Sequence, residues 1–227
     1  MNSNIFIVVP AFNESEVIQQ VISEIQNFGN YHIIVVDDGS HDGTFKVVSG
    51  NPGVMALRHK INRGKGAATK TGIIAANKLG ADIIVTMDGD GQHDPDDIKA
   101  LIKPIIHDGY DVVLGTRVFA TVQIPFIKII ANKIGNFVTW LLYGLLVADS
   151  QSGLRAYSRY AAHIIDTKAD KYEYDSKVIR EIKNNRLKFT EVPIKVRYTD
   201  YSMTKPQKQG FVNGVKTVIR MIWDMLV

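Results

Sequence analysis

The stretch IFIVVPAFNE, residues 5–14, is a run of β-branched and aromatic residues that ends in a polar turn. Four later runs have the same β-rich character: HIIVV (32–36), GVMAL (53–57), DIIVTM (82–87) and DVVLG (111–115). The intervening segments ESEVIQQVISEIQNF and AATKTGIIAANKLG carry apolar residues at spacings of three and four, as helices packed on a sheet do. This alternation predicts an α/β fold with a mostly parallel sheet and helices on both faces.

Polar motifs follow four of the five predicted strands. They are PAFNE after the first strand, DDGS after the second, DGDGQH after the fourth and TR after the fifth. In open α/β sheets the ligand crevice lies outside the carboxyl ends of the strands. Motifs that are far apart in sequence are therefore predicted to line one pocket.

The composition narrows the class of protein. A chain of 227 residues with 45% hydrophobic residues suits one globular domain, and the lack of cysteine excludes disulfides, thiolate metal sites and cysteine nucleophiles. The formal net charge of +4 allows an anionic partner without selecting one, and without a basic stripe interleaved with aromatic residues no nucleic-acid binding is predicted. The beginning, MNSNIFIVVP, has no basic leader and too short an apolar run for a signal peptide, which predicts a cytoplasmic protein.

The turn TMDGDGQHDP, residues 86–95, holds more acidic residues than the start of a helix explains. Asp94 is expected to be the N-cap of the next helix, with Pro95 at its first position and further acids in its first turn. Asp88 and Asp90 have no such explanation, and their charges repel each other unless a cation lies between them. The pattern therefore predicts a site for a hard divalent cation, Mg²⁺ or Mn²⁺.

Spacing excludes several other ligand-binding motifs. A calcium-binding EF-hand loop that began at Asp88 would need Gly and Glu where His93 and Lys99 stand. The segment NRGKGAA lacks the Ser or Thr that follows Gly-Lys in a P-loop, and PAFNE does not match the dinucleotide-binding glycine pattern. A single histidine in the acidic turn also argues against a zinc site.

Six motifs together resemble one enzyme family. VVPAFNE, IIVVDDGSHDGT, NRGKGAA, DGDGQHDP, VLGTR and DSQSGLRAYSR occur in that order between residues 8 and 159. They closely resemble the inverting family-two glycosyltransferases of GT-A fold, and within them the dolichyl- or polyprenyl-phosphate sugar synthases of the dolichol-phosphate mannose or glucose synthase type. The resemblance implies a Rossmann-like GT-A domain over residues 1–205. It also implies metal-dependent, inverting transfer of a sugar from GDP-mannose or a UDP-hexose to dolichyl or polyprenyl phosphate.

The resemblance assigns the donor side of the site residue by residue. The implied nucleotide-sugar ligands are Pro10, Phe12, Glu14, Val36, Asp38, Asp88, Gly89, Asp90 and Lys205, with Asp38 near the base. The implied metal ligands are Asp88, Asp90 and Gln92, and the implied catalytic residues are Asp90, Arg117 and Lys205. Phe12 stands where the family often has Tyr, which keeps the aromatic face and loses a hydroxyl.

The acceptor side is assigned to Arg117, Lys128, Asn132, Asp149, Ser152 and Arg155. Lys128 stands where relatives often have Arg, so the charge is kept but the bidentate fork is lost. An ionised lipid phosphate needs no general base, whereas a hydroxyl acceptor would need one, and Asp149 is the candidate for that role. The alternative interpretation of Asp149, Ser152 and Arg155 is a hydrogen-bonded loop that shapes the floor of the site.

A few further residues lie close to the assigned motifs. Lys65 is either directed at the diphosphate or solvated in the first turn of its helix. Asp175, or its neighbour Ser176, is expected to cap the next helix. Glu173 would be functional only by analogy with the family.

Two apolar stretches bear on a membrane partner. IGNFVTWLLYGLLVA (134–148) is too short to cross a bilayer as a helix, and a buried helix and a helix in a membrane surface are equally favoured. GFVNGVKTVIRMIWDMLV, residues 210–227, is amphipathic, and residues 206–227 are predicted to form an interfacial helix rather than one packed on the domain. The expected location is peripheral, on the cytoplasmic face of the membrane.

Two other functions remain open at this point. The first is a glycosyltransferase that acts on a soluble or polysaccharide hydroxyl. The second is a non-catalytic nucleotide-sugar-binding protein, which would have no need of the metal ligands Asp88 and Asp90.

Overall fold

A computed structural model describes residues 3–117, 126–171, 173–197 and 201, with the backbone alone for residues 126–133. Within them the strands are β1 (Ile5–Ala11), β2 (His32–Asp37), β3 (Val54–Arg58), β4 (Ile83–Thr86), β5 (Val112–Arg117), β6 (Arg155–Ser158) and β7 (Phe189–Ile194). The helices are α1 (Ile18–Phe28), α2 (Thr44–Ser49), α3 (Lys65–Lys78), α4 (Asp97–Asp108), α5 (Phe126–Tyr143), α6 (Arg159–Ile164) and α7 (Glu173–Asn184).

The strands form one seven-stranded sheet in the order β3-β2-β1-β4-β6-β5-β7. β6 is antiparallel to its neighbours β4 and β5, and the other pairs are parallel. The carboxyl ends of β1, β2, β4 and β5 therefore lie at one end of the sheet, and β6 begins there. The prediction of a mostly parallel sheet is confirmed.

Helices cover both faces of this sheet. Alternate residues of a strand point to opposite faces, and β1 shows the consequence. Ile7 and Val9 are buried with residues of α1 and α4, whereas Phe6 and Val8 are buried with residues of α3, α6 and α7. The buried residues of α1 keep the predicted helical spacing: Ile18, Val21, Ile22 and Ile25.

The last two strands were not predicted from the sequence. β6 has only four residues and contains a buried arginine, and β7 carries a glutamate and a proline, so neither has a simple apolar pattern. Pro193 is tolerated because β7 lies at the edge of the sheet, where one side of the strand needs no hydrogen-bond donor.

The helix after the acidic turn begins later than predicted. α4 begins at Asp97 rather than Pro95, and its N-cap is Asp96. The Asp94 carboxylate accepts a hydrogen bond from the Asp96 N–H at 3.0 Å, so it stabilises the turn that precedes the helix. The expected N-cap role of Asp94 is therefore wrong by two residues, because a turn at residues 95–96 is inserted before the helix.

α5 contains the first part of the apolar segment 134–148. Its Thr139 and Tyr143 side chains are buried, whereas Phe137 and Leu141 are 57% and 65% exposed. The helix is therefore buried on one side and apolar on its exposed side. Among the described residues, no helix combines the length and the apolar character that crossing a membrane requires. The predicted helix 206–227 and the domain boundary at residue 205 lie outside the described residues.

Candidate active site

Loops from distant parts of the chain meet at the carboxyl end of the parallel strands. The Glu14 N–H in the turn after β1 donates to Thr44 Oγ1, in the segment after β2, at 2.8 Å. The Thr86 hydroxyl at the end of β4 donates to the Gly153 carbonyl at 2.9 Å. The PAFNE, DDGS and DGDGQH motifs thus lie together, and the antiparallel β6 adds the loop 149–154 to them.

Asp88 and Asp90 lie half-buried on the turn after β4. Asp88 Oδ1 is 2.8 Å from Lys65 Nζ, and Asp88 Oδ2 is 3.5 Å from His93 Nε2. Asp90 Oδ1 accepts a hydrogen bond from the Gln92 N–H at 3.0 Å. Asp88 therefore has side-chain partners on both oxygens, while Asp90 is held by the backbone of its own turn.

The two carboxylates have different proton affinities. Burial opposes the ionisation of Asp88, but the charge of Lys65 and the contact with His93 outweigh it and hold the pKa of Asp88 well below its usual value. Burial and the negative charge of Asp88 raise the pKa of Asp90. The turn therefore concentrates negative charge that a further cation would stabilise.

This pair of carboxylates fits a hard divalent cation. Mg²⁺ is commonly bound by one or two carboxylates, with phosphate oxygens and water in its other positions, and Mn²⁺ has similar ligand preferences. The described residues contain no group of three or more His, Cys, Asp and Glu side chains that could hold a metal. Asp88 and Asp90 would therefore be the protein ligands of an ion that also needs donor oxygens. Gln92, predicted as a third ligand, contributes its backbone N–H to Asp90.

Gly153→Ala tests how closely the loop before β6 approaches Asp88. A Cβ atom at position 153 would lie 2.5 Å from both carboxylate oxygens of Asp88. Because the end of a side chain moves more easily than the loop backbone, we expect Asp88 to turn away and Mn²⁺ affinity to fall about tenfold. Electron paramagnetic resonance of free Mn²⁺ measures this loss. The control Gly50→Ala, on a surface helix end, should bind Mn²⁺ as the wild type does, and equal affinity in both variants would contradict the prediction.

Lys65 and Asp175 are joined across the site. Lys65 Nζ lies 3.2 Å from Asp175 Oδ2, so this lysine bridges Asp88 and Asp175 instead of extending freely into solvent. Burial disfavours the charged form of Lys65, but Asp175 and Asp88 outweigh it and raise the pKa of its ammonium above the usual value. The expected cap role of Asp175 is wrong, because α7 already begins at Glu173 and the buried Asp175 lies within its first turn.

Arg117, at the end of β5, forms a bidentate ion pair with Asp149. Arg117 Nε donates to Asp149 Oδ2 at 2.6 Å, and Arg117 Nη2 donates to Asp149 Oδ1 at 2.8 Å. The Asp149 side chain is fully buried and that of Arg117 is one quarter exposed. Two parallel charge-assisted bonds fix the guanidinium plane, so Arg117 is held rigidly at the rim of the site.

Ser152 and Arg155 lie beneath this loop. Both side chains are buried, and Arg155 is only 1% exposed. Its guanidinium donates to the backbone carbonyls of Ser152 at 2.9 Å and Ser150 at 2.8 Å. For Arg155 the geometry therefore favours the interpretation of a residue that shapes the floor of the site over direct contact with an acceptor phosphate.

Asp38 is a buried wall residue on the donor side. His59 Nδ1 lies 2.7 Å from Asp38 Oδ1, and the backbone N–H groups of Arg63 and Gly64 donate to its two carboxylate oxygens. Asp38 thus fixes the NRGKGAA segment against the end of β2. The Val36 side chain is fully buried in the core below it. Contact of either residue with a nucleoside stays a prediction.

The other predicted donor residues surround the turn after β1. Pro10 and Phe12 are half-buried, and Glu14 is buried and accepts a hydrogen bond from the Tyr201 hydroxyl at 2.8 Å. Gly89 packs so close to the Pro10 carbonyl that a Cβ atom would lie 3.0 Å from it. The predicted Lys205, and the side chains of Lys128 and Asn132, lie outside the described residues.

Comparisons with known proteins point to one family. A family model described as "Glycosyl transferase family 2" matches residues 6–166. A UDP-N-acetylglucosamine–dolichyl-phosphate N-acetylglucosaminyltransferase of Methanococcus voltae is 41% identical over 222 residues, which cover 88% of this chain and 88% of that protein. A polyprenol monophosphomannose synthase of Mycolicibacterium smegmatis is 28% identical over 211 residues, which cover 88% of this chain and 79% of that protein.

A solved structure shares the fold. The glucosyl-3-phosphoglycerate synthase of Mycobacterium tuberculosis, in complex with Mn²⁺, uridine diphosphate and glucosyl-3-phosphoglycerate, superposes with a TM-score of 0.76. The match covers 99% of this chain and 79% of that chain at 20% sequence identity, so it establishes the likeness of fold alone. The predicted GT-A fold is confirmed.

Proposed function

Because the chain belongs to glycosyl transferase family 2 and is a glycosyltransferase, we propose that it transfers a sugar from a nucleotide diphosphate to a polyprenyl or dolichyl phosphate. The names of the two relatives support a lipid-phosphate acceptor. The relative at 41% identity makes UDP-N-acetylglucosamine the first donor to test, with GDP-mannose the second. The transfer inverts the configuration of the sugar's anomeric carbon.

The ion pair between Arg117 and Asp149 is the observation that favours a phosphate over a hydroxyl as the acceptor. A hydroxyl acceptor needs a general base to remove its proton, and Asp149 is the candidate for that role. Both Asp149 oxygens already accept hydrogen bonds from Arg117, so this carboxylate is engaged in an ion pair and is not directed at an acceptor hydroxyl. A phosphate monoester, whose second pKa is about 6, is largely ionised at neutral pH and attacks without a base.

The site residues divide the chemistry between donor and acceptor. An oxygen of the acceptor phosphate forms a bond to the anomeric carbon, while the bond from that carbon to the nucleoside diphosphate breaks and its electron pair leaves with the diphosphate. Asp88 and Asp90 would hold a divalent cation, which when bound neutralises the charge that grows on the leaving group. Arg117 would orient the acceptor phosphate, with Lys128 as a second predicted cation on that side.

The exposed side of α5 is the proposed contact with the membrane. Ile134, Phe137 and Leu141 are each more than half exposed, and Trp140 is 42% exposed and packs against Phe137 with their ring centroids 5.7 Å apart. Aromatic side chains of this kind, tryptophan above all, are enriched at membrane–water interfaces. This apolar surface, formed by Ile134, Phe137, Trp140 and Leu141, is called here the α5 surface.

Hydrogen bonds connect α5 to the loop 149–154, which carries the predicted acceptor residues Asp149 and Ser152 and is called here the acceptor loop. Asn136 Oδ1 accepts a hydrogen bond from the Ser150 N–H at 2.9 Å, next to the Asp149 that holds Arg117. The Thr139 and Ser150 hydroxyls are also in contact, at 3.3 Å. A helix lying in the membrane surface would therefore hold the acceptor loop close to lipid headgroups. We infer that the protein attaches peripherally to the membrane. Attachment to the cytoplasmic face of the membrane stays a prediction.

Phe137→Ser combined with Leu141→Ser should weaken membrane binding. Burial of each large apolar side chain contributes about 1.5–3 kcal/mol, so we expect at least a tenfold loss of binding to anionic liposomes. Co-sedimentation with liposomes measures this change. The matched control is Ile61→Ser with Ile74→Ser, two exposed apolar residues elsewhere on the protein. Equal loss in both double variants would count against α5 as the contact.

Sugar transfer by the purified protein tests the proposed function. The assay offers UDP- and GDP-sugars with Mg²⁺ or Mn²⁺, with and without a polyprenyl phosphate in detergent. We expect a lipid-linked sugar that disappears with a chelator. Transfer to a soluble hydroxyl without lipid would instead favour the hydroxyl-acceptor enzyme, and nucleotide-sugar binding without any transfer would favour a binding protein.

A further inference from the structure

Four charged side chains form a chain behind the metal site. Asp88 contacts Lys65 at 2.8 Å, Lys65 contacts Asp175 at 3.2 Å, and Asp175 lies 3.7 Å from Arg155. The Asp175 and Arg155 side chains are only 5% and 1% exposed, whereas those of Lys65 and Asp88 are about one quarter exposed. The charges alternate in sign along the chain, and only its outer end reaches the pocket.

The position of Lys65 is set by the first turn of α3, whose backbone is fixed against the segment before α7. Gly66, the next residue of α3, packs so tightly against Tyr174 that a Cβ atom there would lie 2.7 Å from Tyr174 Cβ. The Ala67 N–H donates to the Asp170 carbonyl at 3.0 Å and fixes the same turn to the segment before α7. The first turn of α3 is therefore anchored, and the Lys65 ammonium group is held between two carboxylates.

The position of Lys65 creates a competition at Asp88. The ammonium group occupies one oxygen of a carboxylate that the proposed function assigns to a divalent cation. A metal ion and a lysine ammonium group that both contact one carboxylate lie within a few ångströms of each other, and their positive charges repel. Asp175 offers Lys65 a second carboxylate, and the buried Arg155 guanidinium, 3.7 Å from Asp175 on its other side, holds that carboxylate in place.

We propose that Lys65 is the resident counter-ion of Asp88 in the metal-free enzyme, and that Asp175 is a positioning residue that draws Lys65 away from Asp88 and so sets the affinity for metal. This inference rests on the metal role of Asp88 and Asp90 in the proposed function. Asp175 acts through Lys65 and does not touch the metal. Its effect must therefore depend on the lysine being present.

The test measures Mn²⁺ binding to the nucleotide-free protein by electron paramagnetic resonance, with no turnover involved. An opposite charge at about 4–6 Å shifts a proton affinity by about 1–3 pKa units, so effects of about tenfold on a metal are expected. Lys65→Met should tighten Mn²⁺ binding about tenfold, and Asp175→Asn should weaken it about tenfold. In the double variant, Asp175→Asn should weaken binding by no more than about threefold relative to Lys65→Met alone.

Lys70→Met is the matched control, because Lys70 lies on the same helix and pairs with Asp170 at 2.6 Å, away from Asp88. It should leave Mn²⁺ affinity unchanged. Asp175→Asn that weakens binding equally with and without Lys65 would reveal a merely structural role and overturn the proposal. If the Asp175→Asn variant does not fold, a Mn²⁺ affinity of Lys65→Met equal to that of the wild type is enough to overturn the proposal.

The metal role and this inference fail in distinguishable ways. Wild-type protein that binds no Mn²⁺, either alone or with a nucleoside diphosphate present, would overturn the metal role of Asp88 and Asp90, and with it the proposal for Lys65. Wild-type binding that is lost in Asp90→Ala, but is indifferent to Lys65→Met, would leave the metal role standing and overturn the proposal for Lys65 alone.

Discussion

Replacement of Asp90 by alanine is expected to lower kcat for sugar transfer about 10²–10³-fold while the protein stays folded. The loss is large because Asp90 is one of two carboxylates that would hold the cation on the leaving diphosphate. The fold should persist because Asp90 is only half-buried and accepts one hydrogen bond, from the Gln92 N–H. Its removal also relieves the burial of a carboxylate and its repulsion by Asp88, which together raise the pKa of Asp90.

The measurement is a steady-state assay with saturating metal, together with a thermal melt of the same preparation. Asp96→Ala is the matched control, because Asp96 lies on the same acidic segment, is exposed, and pairs only at 3.7 Å with Lys195. The control should retain near wild-type kcat. Near-normal turnover in Asp90→Ala with an unchanged metal requirement would refute its role as a ligand.

Replacement of Arg117 by alanine is expected to destabilise the protein by about 3–5 kcal/mol, because it leaves the buried Asp149 carboxylate without its charged partner. For a chain of this size that corresponds to a fall of about 10 °C in Tm. Transfer to a lipid phosphate should fall too, since Arg117 is a predicted acceptor residue. Differential scanning calorimetry measures the stability of the variant.

Two comparisons isolate the cause of this loss. Arg159→Ala breaks the exposed ion pair with Asp82, at 2.8 Å, and should cost about 1 kcal/mol or less. Combining Arg117→Ala with Asp149→Ala should recover more than half of the lost stability, because the uncompensated charge is then gone. A double variant no more stable than Arg117→Ala would show that packing, and not the buried charge, dominates.

The sequence predicted those parts of the fold whose signal is local. Runs of β-branched and other apolar residues located five strands, and apolar spacings of three and four located helices between them, because each element must bury its apolar side chains whatever its partners. It did not locate β6, whose residues are stabilised by distant ones: Thr86 pairs with Arg155, and Val113 with Ala156. A short strand that contains a buried arginine has no local signature of its own.

The candidate site shows the same division. The glycine-rich acidic turn made Asp88 and Asp90 candidate metal ligands from charge and spacing alone, and this assignment stays a prediction. The sequence did not indicate the role of Gly153, which is one glycine of the motif SQSGLR. Its close approach to Asp88 joins residues more than sixty positions apart in the chain. Lys65 was recognised as a candidate, but its partner Asp175 was misread as a helix cap because the two are 110 residues apart.

The sequence by itself thus determined the α/β class, the order of the motifs, the carboxylate pair and the family, because each follows from residue types at short spacing or from a string of motifs read in order. Only the tertiary structure decided that Asp149 is committed to Arg117, that Arg155 lies beneath the loop, and that Lys65 is shared by two carboxylates. The physical reason is that ion pairing and burial depend on distances in space, which the order of residues along a chain does not specify until the sheet has brought its loops together.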